Sequence, residues 1–300
     1  MEGRIKNRDG SFLPGCAPCG KSLRFLYETA AGRVCLKLLT RRSVSKLVGA
    51  YMNSRISKLN IKRSIQSCGI DLSEYEITDY RKFSCYNDFF TRQIKKEKRP
   101  LAAAPDVFIS PCDSKLSVYG INEDSCFFIK GSVYTVADLL GGNKALADQF
   151  MGGYCLIFRL TVDNYHRYCY IDNGTKEENI FIPGVLHTVN PISLKKYNIY
   201  KQNCREYTVL HTENFGDVVQ VEIGAMMVGR IKNHHGACSF RKGEEKGMFE
   251  FGGSTIVLLV KKDILTIDGD ILANSAENIE TAVKMGERIA VKRQKTDNQY

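Results

Sequence analysis

The sequence predicts an α+β protein, with helices in its N-terminal third and a mainly antiparallel, β-rich region after them. Three observations carry this reading. From Leu23 the apolar residues Leu23, Tyr27, Ala30, Val34 and Leu38 recur every three or four positions, and Val44, Leu47, Val48 and Tyr51 repeat the spacing, as in amphipathic helix. The pattern breaks over Lys95-Lys96-Glu97-Lys98-Arg99-Pro100 and Ala102-Ala103-Ala104-Pro105. Beyond the break come short runs rich in β-branched and aromatic residues and bounded by glycine: Tyr154–Leu160, Ile180–Val189, Tyr207–Leu210, Val218–Ile223 and Ile256–Val260. Further short helices are expected within Asp138–Phe150 and Ala276–Met285. The chain thus divides into a flexible tail over 1–20, a basic helical region over 21–103 and a β-rich domain over 104–300.

Composition narrows the function classes. With 43% hydrophobic and 25% charged residues, the 300-residue chain is long enough for one large core and is not of the disordered class. No run of eighteen apolar residues occurs, and Met1 to Gly20 has charges and turn formers where a secretory signal needs an apolar stretch. Neither a spanning helix nor a signal peptide is expected. Eleven cysteines, an odd number without paired spacing, fit free thiols in a reducing cytoplasm. The one close pair, Cys16-Ala-Pro-Cys19, lacks the second pair that zinc needs and the strand-helix setting of a redox motif, so it is assigned to the tail. His234-His235 has no carboxylate cluster beside it and is assigned to a solvated loop, and no metal site is expected.

The net charge of +10 is concentrated in one place. Between Lys21 and Arg63 eleven basic residues stand against a single acid, Glu28, so the remainder of the chain is neutral on balance. Such density attracts polyanions, with about 1 kcal/mol per Lys or Arg near an anionic bilayer. On an amphipathic helix it fits an interfacial membrane anchor; the alternative is a helix packed on the main domain with a solvated basic face.

The stretch richest in chemistry runs from Lys242-Gly243-Glu244-Glu245 to Gly252-Gly253-Ser254-Thr255, followed by the apolar run Ile256–Val260. Two glycines before a serine allow a tight turn in which the hydroxyl can approach the preceding carbonyl carbon. Gly-Gly-Ser alone is equally a turn into a strand. Its setting resembles the self-cleavage region of the phosphatidylserine decarboxylases. Further segments match in order, among them Phe89-Phe90-Thr91-Arg92, Ser110-Pro111-Cys112-Asp113, Tyr165-His166-Arg167, Gly184-Val185-Leu186-His187, Asn203-Cys204-Arg205 and Val221-Glu222-Ile223-Gly224. The resemblance covers roughly Phe83 to Lys262.

The resemblance implies a barrel- or sandwich-like catalytic domain and a proenzyme that cuts itself between Gly253 and Ser254, giving fragments 1–253 and 254–300 that stay associated. In that family an Asp-His-Ser relay drives the cut, with the serine attacking the glycine carbonyl while the histidine takes its proton. The aspartate corresponds to Asp113 and the serine to Ser254, which becomes a covalent pyruvoyl group whose carbonyl serves as the electron sink for decarboxylation. The implied substrate is phosphatidylserine in an anionic membrane, converted to phosphatidylethanolamine and carbon dioxide. No nucleic-acid partner is implied. The implied location is peripheral, on the cytoplasmic face of a membrane. His187 is a further candidate for lining the site.

One departure bears on the mechanism. The family pattern is Tyr-His-Arg-x-His, with the relay histidine second, whereas this chain reads Tyr165-His166-Arg167-Tyr168-Cys169. Ser114 also replaces the glycine usual after the aspartate. Cys169 could act through its thiolate, His166 could serve both steps, or cleavage could be slow or lost; the reading favoured here gives the base role to His166. A cysteine hydrolase built from Cys169, His166 and Asp113 is a competing reading, as is an uncut membrane-binding module without enzymatic activity.

Overall fold

A computed structural model describes residues 4–13, 21–129, 132–188, 197, 199–225, 230–252 and 254–294. Cys16, Cys19 and Gly253 lie outside these residues. The ten strands of the main sheet are β1 (Ile5–Lys6), β2 (Ser114–Gly120), β3 (Tyr154–Leu160), β4 (Gly174–Lys176), β5 (Ile180–Ile182), β6 (Arg205–Thr212), β7 (Gly216–Gly224), β8 (Cys238–Phe240), β9 (Ser254–Val260) and β10 (Glu280–Val283). Their spatial order is β1-β10-β2-β3-β9-β7-β6-β4-β8, with β5 also on β6, and every pairing except the parallel β1–β10 is antiparallel. Two three-stranded sheets and a two-stranded one accompany it, and among the described residues none closes into a barrel.

The alternation of side chains along β9 explains the layering. Ile256, Leu258 and Val260 point to one face, where they join Leu116, Phe158, Tyr168, Cys169 and Phe249 in one core. Val257 and Leu259 point to the other, against Phe127, Leu139, Phe150 and Tyr200. All seven residues of β9 are buried, so the strand reads as a continuous apolar run because both its faces are covered. A third cluster, with Ile61, Tyr75, Phe83, Phe89, Phe90 and Tyr165, belongs to the helical region.

Several expectations are corrected. The amphipathic stretch from Leu23 to Leu38 is two helices, α1 (Lys21–Glu28) and α2 (Ala30–Leu39), because Thr29 turns extended and caps α2 by accepting from the Gly32 N–H at 2.9 Å. Gly32 is required there: a Cβ would stand 1.9 Å from the Phe25 carbonyl oxygen. α3 (Arg42–Met52) and α4 (Ile61–Cys68) follow. Of the expected strand Ile180–Val189, Ile180–Ile182 pairs in the main sheet and Val185 makes an isolated parallel bridge to Asn203, with Pro183, which lacks a donor, between them; Val189 lies outside the described residues. The helix expected at Ala276–Met285 ends at Ala276; Asn278 turns left-handed at φ 57° and Glu280–Val283 enters the main sheet. Part of the expected flexible tail is ordered: Ile5–Lys6 forms the edge strand, and Arg8 bonds Asp268 at 2.7 Å and Asp270 at 2.5 Å.

Buried charges tie these layers together. Arg159 on β3 and Glu280 on β10 form a bidentate pair at 2.5 and 2.7 Å. Lys246, on the strand Glu245–Phe249, meets Glu222 on β7 at 2.8 Å, with both side chains fully buried. Among the described residues no helix is long and apolar enough to cross a membrane.

Candidate active site

Ser254 is the first residue of β9, opposite Gly224 of β7 and Leu160 of β3. Its place in the alternation sends its side chain to the face of Ile256 and Leu258, where Cys169 and Tyr168 also pack. The hydroxyl is fully buried and makes no hydrogen bond. The residues leading into it are held from the helical side. α5 (Tyr86–Phe90) supplies the Asn87 carboxamide oxygen, which accepts from the Phe251 N–H at 3.0 Å, while the Phe251 ring lies 5.1 Å from Tyr86 and 5.5 Å from Phe90. Gly252 then takes φ 129°, a conformation that favours glycine.

His166 also packs on Phe90, with ring centroids 4.1 Å apart. Its carbonyl accepts from the Phe249 N–H at 3.0 Å, tying it to the strand that leads into the turn. Nδ1 lies 2.9 Å from the Asn164 carbonyl oxygen. A carbonyl can only accept, so Nδ1 carries the proton and Nε2 keeps its lone pair. Nε2 is buried without a partner. Burial, reinforced by the charges of Arg92 and Lys115, pushes the His166 pKa down to about 3, so the ring is neutral at physiological pH. His166 Nε2 and Ser254 Oγ are therefore a bare acceptor and a bare donor, not bonded to each other.

Asp113 is placed differently from what a relay through His166 needs. It accepts from Arg99 Nε at 2.8 Å, from Arg99 Nη2 at 2.5 Å and from the Met285 N–H at 2.9 Å, and it makes no hydrogen bond to His166. Burial of Arg99 disfavours its charge, but the bonds to Asp113 outweigh this and raise its pKa. Cys169 lies beside Asp113, at the place where the family histidine is expected. Its N–H donates to the Pro111 carbonyl at 2.9 Å, and burial, with the carboxylates of Glu245 and Asp113, pushes its thiol up to about 12. Such a thiol is almost wholly protonated at neutral pH, which weighs against both a thiolate base and a cysteine hydrolase. His166 packs on Phe90 of the helical side while Cys169 packs in the sheet core.

Cys169 and Tyr165 line a cavity of about 570 Å³, and Asp113 and Ser114 line a neighbouring one of about 840 Å³, with Arg99 and Met285 on both. Neither cavity is lined by Ser254 or His166. The other histidines fall outside this constellation. His187 is buried and lowered in pKa by burial; Asn203 fastens its backbone to the Gly224 carbonyl, one step from Ser254. His211 is a strand-surface residue at 2.8 Å from Asp217, and His234 pairs with Glu245 at 2.7 Å. No group of three or more metal-ligating residues occurs among the described residues. Sequence reasoning missed Arg99 as the partner of Asp113, and Asn164 as the residue that fixes His166.

Comparison with known proteins puts this chain among the carboxy-lyases that act on phospholipid, with relatives named as proenzymes. The family model for phosphatidylserine decarboxylase matches residues 86–291. A phosphatidylserine decarboxylase proenzyme 2 of Clostridium acetobutylicum is 50% identical over 268 residues, covering 89% of this chain and 90% of the relative. Relatives named phosphatidylserine decarboxylase proenzyme from Clostridium botulinum and Clostridium perfringens are 41% and 38% identical, covering 90% and 91% of this chain and 92% and 93% of the relatives. The chain belongs to the phosphatidylserine decarboxylase family.

The neutral His166 has a consequence for stability. Its folded pKa of about 3 lies below the ordinary 6.5, so below about pH 6.5 the unfolded chain binds a proton that the folded chain refuses. The contribution is fully present above that pH and declines as pH falls, at about 1.4 kcal/mol per pH unit. Urea midpoints from pH 7 to pH 4 should fall less steeply for His166→Gln than for the unsubstituted protein. Equal slopes would show that His166 is not held neutral.

Proposed function

We propose that this chain is a proenzyme that cuts itself between Gly253 and Ser254 and then decarboxylates phosphatidylserine to phosphatidylethanolamine. The observation that carries this reading is the Ser254 hydroxyl, buried without a partner at the end of a turn that needs glycine at 252. A buried hydroxyl normally finds a partner, and leaving it bare costs about 1–3 kcal/mol; bare hydroxyls also stand at Ser45, Ser114, Tyr134 and Thr255, and what singles out Ser254 is its place directly after the Gly252-Gly253 pair.

In the self-cleavage, Ser254 Oγ attacks the Gly253 carbonyl carbon and its proton passes to a base, for which His166 Nε2 has the free lone pair. The peptide C–N bond breaks as the acyl group moves to oxygen and the amine takes a proton. Loss of the Ser254 Cα proton then expels the Gly253 carboxylate, and water releases ammonia to leave a pyruvoyl group at position 254. The site fits such a group, because the bare hydroxyl marks a polar position that no other side chain occupies. The pyruvoyl carbonyl supplies an electron sink for the pair released when carbon dioxide leaves. Around it this chain contributes a dry, covered strand and a neutral imidazole able to hold and return a proton. Asp113 acts with Arg99 rather than through a histidine. Cys169 packs beside it as a small apolar group, and self-cleavage proceeds without its thiolate.

Fragments 1–253 and 254–300 remain associated on this reading. β9 is an interior strand paired on both sides, and the buried Arg159–Glu280 pair crosses the cut. The lipid substrate is met at the basic helices. Phe25, Val34, Leu38, Leu47, Ile56 and Leu59 are exposed there among the basic residues of 21–63, which suits peripheral binding to the anionic cytoplasmic face of a membrane. The domain division at 21–103 and 104–300 assigns docking to the first part and chemistry to the second.

Intact-mass measurement of the purified protein should give two chains, residues 1–253 and residues 254–300 with a blocked N-terminus, and Ser254→Ala should give one. A single uncut mass for the unsubstituted protein after prolonged incubation contradicts the reading.

Membrane docking has its own check. Leu47 and Leu59 are 72% and 82% exposed, so Leu47→Asp with Leu59→Asp should leave the urea midpoint nearly unchanged while weakening flotation with phosphatidylserine-containing vesicles, and added salt should weaken it further. Undiminished flotation would assign these helices to a packed scaffold.

A further inference from the structure

The environment of Lys115 assigns it a task in the reaction that its sequence position does not suggest. Lys115 lies on β2, two residues after Asp113, and its side chain is nearly buried. An ammonium has three N–H donors. Here they reach Thr161 Oγ1 at 2.5 Å, Asp163 Oδ2 at 2.6 Å and Asn164 Oδ1 at 2.7 Å, three residues of one turn. The same turn is closed internally: the Asn164 N–H donates to the Thr161 carbonyl at 2.8 Å, and Asn164 Oδ1 accepts from the Thr161 N–H and hydroxyl, each at 3.0 Å. Three donors therefore converge on the side-chain oxygen of Asn164, whose backbone carbonyl is the acceptor for His166 Nδ1.

Burying a lysine is costly unless all its protons are bonded, and a merely stabilising contact could be made by apolar packing at lower cost. What the ammonium achieves and a methionine could not is to fix the orientation of Asn164. With that carbonyl aimed at Nδ1, the ring has one usable tautomer, with the lone pair on Nε2. We propose that Lys115 is a positioning residue that, through the turn 161–164, holds His166 in the Nδ1–H tautomer that leaves Nε2 free to take a proton. The inference rests on the reading of His166 as the proton carrier. Asp163 completes the arrangement by partly opposing the Lys115 charge at His166, on which Arg92 also acts.

The test is ¹⁵N NMR of protein labelled on histidine, which has five imidazoles, with His166 assigned by its disappearance in His166→Gln. The unsubstituted protein should show a protonated Nδ1 and a bare Nε2 for His166. In Lys115→Met, which keeps the length and removes the donors, the signals should shift toward the Nε2–H form, and self-cleavage should slow by about tenfold to a hundredfold while cooperative unfolding is retained. Thr161→Val removes one acceptor and keeps the charge pair; it should move both readouts the same way by less, and it serves if Lys115→Met does not fold. An unchanged His166 tautomer in a folded variant overturns the proposal whatever happens to cleavage. Failure of the underlying reading looks different: the unsubstituted protein then shows the Nδ1–H tautomer and stays uncut.

Discussion

Everything in this structure is arranged around one central strand that is hydrogen-bonded on both edges and covered on both faces. Because Ser254 opens that strand, its hydroxyl starts in a site without water, where a bare polar atom is costly and an electrostatic interaction is strong. The same placement makes a cut tolerable. Breaking the chain before residue 254 frees an end at the rim of the sheet, while the seven residues that follow keep their neighbours in β3 and β7.

A dry interior sets the terms for the charges near it. Glu222 with Lys246 and Glu280 with Arg159 are satisfied in pairs, as buried charges must be, and they join strands on either side of the reacting segment. Asp113 is likewise engaged by Arg99 and the Met285 N–H, and none of its hydrogen bonds goes to His166. His166 adapts in the opposite way, by giving up its charge. A neutral ring with a fixed tautomer is a usable proton acceptor where an imidazolium is not, so burial that weakens its basicity also keeps it available. With cysteine at 169, the proposed proton transfer runs through His166, and the Asp113–Arg99 pair joins the helical region to the sheet.

Much of this was legible in the sequence, and the gaps have physical causes. Tyr154–Leu160 was read to the residue, and Ile256–Val260 lies wholly inside its strand, because a strand covered on both faces is an unbroken β-branched and aromatic run. Glu280–Val283 was missed because alanines and a methionine around it favour helix, while its place in the sheet depends on Arg159, more than a hundred positions earlier in the chain. Ser254 and Asp113 were singled out through the resemblance that the short motifs around them carry. Asn164 could not be found that way: the atom that fixes His166 is a backbone oxygen, which every residue possesses, and only the fold aims it. Lys115 gave no signal either, since a lysine in a strand ordinarily points to water and this one is buried by the turn it holds.

The account's central claim is that Ser254 is the origin of the electrophile that removes the substrate carboxyl group. Vesicles containing phosphatidylserine labelled at that carboxyl carbon test it directly. The unsubstituted protein should release labelled carbon dioxide and leave phosphatidylethanolamine in equal amount, and Ser254→Ala should release none above background. Carbon dioxide released at the same rate by Ser254→Ala would contradict the account.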